Sequence, residues 1–153
     1  MSDSGGMSEN EDLGGPDERH RRPAGVDDAT VEALGKLSEG LEMVERARGR
    51  LYDWHQLIGG GGARLGEAVE LLRKAGHHRH ADLIARELVG RNVLTGRWSF
   101  QTVEEFNRVY YRPAVELEER VRQDLIDGRE HVYEAEMKER LRTQGHPDHT
   151  ATP

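Results

Sequence analysis

Val31, Leu34, Leu37, Leu41, Val44, Leu51 and Ile58 follow one another at steps of three or four residues, or at the sum of the two. That spacing lays apolar side chains along one face of an α-helix. Asp27 or Asp28 stands at its head, and either carboxylate can accept a hydrogen bond from the free N–H groups of a first turn. The stripe predicts a helix from about residue 28 to residue 58. Gly35, Gly40 and Gly49 lie inside it, each costing roughly 1 kcal/mol relative to alanine in a helix interior. Gly59 comes where the stripe ends, and glycine is the preferred residue for a left-handed helix C-cap. The quadruple glycine Gly59–Gly62 therefore predicts a hinge at which the chain reverses.

A second amphipathic pattern begins at once with Leu65, Val69 and Leu72 and stops at Gly76. A third, from about His78 to Val89, turns Leu83, Ile84 and Leu88 inward and stops at Gly90. Thr95-Gly96 reads as a turn, with Ser99 or Thr102 as the next N-cap. The last stripe is long: Val103, Phe106, Tyr110, Ala114, Leu117, Val121, Leu125, Val132 and Ala135. Pro113 lies inside it. It lacks a backbone donor and its ring meets the preceding turn, which predicts a kink or break near Tyr111. Asp127-Gly128-Arg129-Glu130 marks a second weak point. Tyr110 and Tyr111 must point about 100° apart, and the stripe places Tyr110 inside.

Strand patterns are nearly absent. The fold class is all-α: a small helical bundle of two long amphipathic helices flanking two short ones. If the long helices run antiparallel, Trp54 and His55 approach residues 100–106, and His131 approaches the Leu34–Leu41 region. Trp54, Trp98, Phe106 and Tyr110 are the structural anchors of this arrangement. Residues 1–26 and 144–153 are poor in apolar side chains, so ordering them costs more entropy than burial returns. They are expected as disordered tails around a helical domain at 27–143. The cluster Arg19-His20-Arg21-Arg22 in the first tail reads as solvated.

Composition narrows the functional classes. Hydrophobic residues make up 35% of the 153 and charged residues 33%. Such a chain builds thin apolar seams more readily than a thick core, so oligomerisation is one way to bury more surface. A net charge of −7 repels a phosphate backbone, and no nucleic-acid partner is expected. The absence of cysteine removes disulfides, thiol nucleophiles and Cys-ligated zinc together. No apolar run reaches the ~20 residues of a membrane span, and no signal-peptide core opens the chain. The expectation is a cytoplasmic protein with no membrane partner.

Motifs for chemistry are weak. "GGGGARLG" misses the third glycine of a dinucleotide fingerprint, and Gly66 is followed by Glu67 and Ala68 where a P-loop needs Lys and Ser or Thr. No histidine follows a glutamate at the Glu-x-x-His spacing of helical metal sites. His77, His78 and His80 form the best local cluster; imidazoles suit zinc or another divalent transition metal, with Asp82 as a further ligand. Arg48 and His55 fall on the first stripe where apolar residues are expected. Arg48 can lie at the stripe edge, and His55 can bond a terminal carbonyl. The expected function is non-enzymatic: association with itself, as a homo-oligomer, or with another protein, through Tyr111, Arg112, His131, Tyr133 and Glu134. The alternative is a metal- or small-ligand-binding helical protein, an enzyme included, that uses its histidines.

Overall fold

The computed structural model describes residues 14–151. Helix α1 spans Asp28–Lys74, α2 His78–Glu87, α3 Ser99–Phe106, α4 Arg112–Ile126 and α5 Val132–Leu141. Residues Asn107–Tyr111 join α3 to α4 as a π-helical turn, and Glu18–His20 form a 3-10 turn. Among the described residues no strand forms, only an isolated bridge between Leu94 and Arg97. The protein is all-α, and none of these helices is long and apolar enough to cross a membrane.

Asp27 begins α1. Its carboxylate accepts the Thr30 N–H at 2.8 Å and its carbonyl accepts that of Val31 at 3.2 Å. The helix then continues for 47 residues, straight through Gly59–Gly62. This corrects the expected hinge, and the reason is in the pattern. Leu37, Val44, Leu51, Ile58, Leu65 and Leu72 are spaced every seven residues, so the apolar phase crosses the glycines unbroken. None of the four glycines adopts a positive φ. The left-handed cap is Gly76, at φ +85°. There the Gly76 N–H reaches the Arg73 carbonyl and the His77 N–H the Leu72 carbonyl, the paired bonds of a Schellman motif. The reversal follows at 75–98, through α2 and its flanking loops.

The described residues fall into two compact units. In one, residues 14–39 and 118–151 come together. Its core is Val31, Leu34, Ile126 and Val132, with Val26 and Val121 packed against it. Residues 1–13 and 152–153 of the expected tails lie outside the described residues. Residues 14–26 are tied down by polar contacts rather than apolar burial. Arg22 holds Glu136 through two bonds of 2.6 and 2.7 Å and reaches Asp28 at 2.8 Å. Arg129 donates to the carbonyls of Glu18 and Arg21 at 2.8 and 2.7 Å. The break between α4 and α5 comes at the weak point read from sequence: Asp127, Gly128 and His131 all take left-handed φ.

The other unit is Gly40–Leu117. Here α1 runs antiparallel to α3 and the π turn, as four bonds show. His55 Nδ1 lies 2.7 Å from the Ser99 hydroxyl, Arg48 donates to Asn107 at 2.7 Å, Asn107 donates to Tyr52 at 3.2 Å, and Tyr111 donates to Glu45 at 3.3 Å. Ser99 is thus the first residue of α3 rather than its cap. The Gln101 side chain accepts from the Trp98 N–H at 2.8 Å, and the Ser99 hydroxyl is engaged by His55. Apolar burial in this unit is thin: of its hydrophobic side chains Val69, Ala81 and Val103 are buried.

Candidate functional site

Pro113 sets the site. Its ring forbids a regular turn against the preceding carbonyls, and it has no N–H to give. The helix widens just before it: the Arg112 N–H bonds to Asn107, five residues back rather than four. A π turn adds one residue to the local repeat. Every position beyond it is rotated by about 100° relative to an unbroken α-helix.

The rotation turns part of the expected stripe of α4 outward. The sequence stripe would put Tyr110, Leu117 and Leu125 inward. In the structure these residues are 57%, 58% and 49% exposed. This corrects the expectation that Tyr110 lies inside. Tyr110 stacks on half-buried Phe106 at 5.8 Å between ring centroids, on an open surface. The inward positions include Tyr111, Glu118, Val121, Arg122 and Ile126. Glu118 is 7% exposed and Ile126 3%.

The inward seam is therefore partly polar. Glu118 accepts from Arg122 at 3.2 Å and from the Ser38 hydroxyl at 3.3 Å. Arg122 also donates to the Gly128 carbonyl, which fastens the end of α4 to the following loop. Burying such a pair costs desolvation, offset only where the remaining hydrogen bonds are made, as they are here. Further along, the Arg48 guanidinium lies 4.3 Å over the Tyr111 ring and 5.1 Å from that of Tyr52. Arg48 and His55, the off-pattern residues of the first stripe, meet Asn107 and Ser99.

The remaining candidate residues are dispersed. Arg112 is exposed, next to inward-turned Tyr111. His131 is exposed and left-handed at the head of α5, its ring 6.3 Å from that of His20. Tyr133 covers Gly35, and half-buried Glu134 lines with it a cleft of ≈ 20 Å³. Trp54 is half-buried, while Trp98 is exposed with its ring edge-on to Phe100 at 5.5 Å. Trp98 also borders an open groove of ≈ 630 Å³ with Leu57, Ile58, Leu65, Leu88 and Val93, floored by Gly59, Gly61 and Gly62. His77, His78 and His80 are exposed, with the His77 and His80 rings 6.3 Å apart. Asp82 is engaged by Arg73 at 3.3 Å. Among the described residues, no three His, Asp or Glu side chains are grouped to hold a metal ion.

Comparison of the chain with protein-family models, with curated proteins and with solved structures finds no match. Sequence reasoning missed Asn107 and Glu118 as inward residues. The signal was Pro113: a kink was expected there, but its consequence for the phase of the stripe was not drawn.

Proposed function

We propose that this protein works by association, with a second copy or with another protein, and not by catalysis. The observation that carries the reading is the outward-facing apolar stripe of Tyr110, Leu117 and Leu125, set beside an inward face that carries Glu118 and Arg122. Covering these half-exposed side chains recovers a part of the about 1.5–3 kcal/mol that full burial of such a residue is worth. A partner surface provides that cover. Exposed Met43, Leu57, Leu88 and Trp98 in the Gly40–Leu117 unit point the same way. Exposed apolar side chains of this size, where they gather into a patch, mark interaction sites in soluble proteins.

Sedimentation equilibrium tests the self-association arm. The expected result is a mass rising above the 17.3 kDa of one chain as concentration enters the micromolar range. A single species of 17.3 kDa at high micromolar concentration, binding no hydrophobic dye, would contradict the reading.

A further inference from the structure

We infer that the open groove between the middle of α1 and the loop after α2 binds a free acyl carboxylate of medium chain length, its tail along the glycine floor and its head at Arg91. The groove lies wholly within the Gly40–Leu117 unit. Of the exposed apolar side chains of that unit, Leu57, Leu88 and Trp98 gather around it, while Tyr110 and Leu117 do not line it. The inference goes beyond the association reading and does not depend on it.

The walls define the ligand by size and charge. At ≈ 630 Å³ the groove falls among small-molecule sites, which span about 300–1,000 Å³. On α1 it reaches from Leu57 to Leu65, about 12 Å at the rise of an α-helix. The chain carries 29 acidic residues against 22 basic ones, yet no carboxylate stands among the described residues that line the groove. Arg91 is the one charged group there. Its guanidinium reaches the Glu87 carbonyl at 3.5 Å, while the Glu87 carboxylate is held by Arg86 at 2.8 Å. Arg91 thus makes no ion pair among the described residues. A guanidinium offers paired N–H groups that match a carboxylate, and the Asn92 amide beside it adds a further donor. An apolar trough with one cationic end complements an anion that carries an apolar tail, and it repels a cation with the same tail.

The glycines fit this occupant. A glycine in a helix interior destabilises the helix relative to alanine. None of Gly59–Gly62 takes a positive φ, and a Cβ at any of the four would meet nothing within 4 Å. Neither the backbone nor the packing of α1 requires them. Side chains at 59, 61 and 62 would nonetheless stand in the groove that these residues floor, whereas Gly60 does not line it. Stability given up where a ligand lies is the trade-off that binding sites show.

Dodecanoate, kept below the concentration at which it forms micelles, is the probe. Trp54→Phe leaves Trp98 as the sole tryptophan. Titration should shift the Trp98 emission to the blue and saturate at one dodecanoate per chain, and calorimetry on the parent should give the same stoichiometry. Dodecyltrimethylammonium, with the same tail and a cationic head, should bind at least tenfold more weakly. Arg91→Gln, a change at an exposed loop residue, should lower dodecanoate affinity about tenfold and erase the preference over the cation. Gly61→Leu should raise the thermal midpoint yet lower dodecanoate affinity tenfold or more. Gly60→Leu should raise the midpoint alike and leave binding unchanged. Uptake that does not saturate, equal affinity for the two heads, or equal binding by the Gly60→Leu and Gly61→Leu proteins would overturn the inference. So would a rise in sedimenting mass that Gly61→Leu abolishes and dodecanoate does not, which would give the groove to a second copy.

Discussion

Gly35 and Gly49 sit in the same helix and lead to opposite predictions. A methyl group on Gly35 would lie 2.8 Å from Cγ of Tyr133, with Cβ and Cδ1 of the same side chain close behind. These atoms are the root of the ring, not a mobile end, so Tyr133 would have to leave its seat on α1. Gly35→Ala should therefore lose stability, by about 1–3 kcal/mol of overpacking less the ~1 kcal/mol that alanine gains as a helix former. Gly49 has nothing within 4 Å of such a methyl group, and Gly49→Ala should gain about 0.4–1 kcal/mol. Urea midpoints of the two variants against the parent check both signs. Asp27 gives a pH prediction. Hydrogen bonds from Thr30 hold its carboxyl below the ordinary value of 3.8. A carboxyl depressed in the folded state adds stability above its unfolded pKa and loses it as pH falls through the folded one. The first turn of α1 should then fray only below about pH 3.8 in the parent, and Asp27→Asn should remove that dependence while keeping the cap. Amide exchange at Thr30 and Val31 across an acid titration would show it.

The elements were largely legible. Their helical class followed from apolar spacing. The stop at Gly76, the break at Asp127-Gly128 and the disturbance before Pro113 followed from the conformational needs of glycine and proline. The approach of His55 to the start of α3 was expected only on the condition that the long helices run antiparallel. Two things were not read. Continuity through Gly59–Gly62 was written in the seven-residue phase from Leu37 to Leu72, but the preference of glycine for a left-handed C-cap pointed to a hinge there instead. The inward face of α4 was hidden for a different reason: periodicity assumes a constant 3.6 residues per turn, and one wide turn shifts the phase beyond it, so that Leu117 and Leu125 face out while Val121 still packs on the core. The second point is open to test through Pro113→Ala. That change restores an N–H and removes the ring that holds the turn open. Amides 109–113 should exchange more slowly, and the contact of Arg48 with Tyr111 should loosen as the helix rewinds. Unchanged exchange would mean that the proline does not maintain the π turn.

At the scale of the molecule, composition bears on function only through the apolar surface it leaves over. A chain with 35% hydrophobic residues that leaves Leu117, Leu125 and Tyr110 in water has apolar surface to offer a partner. Its carboxylates and histidines are spread along solvated helices, and spacing alone could not say which of them meet. The central claim is that one π turn faces an apolar stripe outward, where association covers it. Reaction rates of single thiols at positions 117 and 118 test this most directly, since the chain brings no cysteine of its own. In dilute protein, Leu117→Cys should be modified fast and Glu118→Cys slowly, and raising the concentration should protect position 117 alone. A slow thiol at 117 and a fast one at 118, at every concentration, would contradict the account.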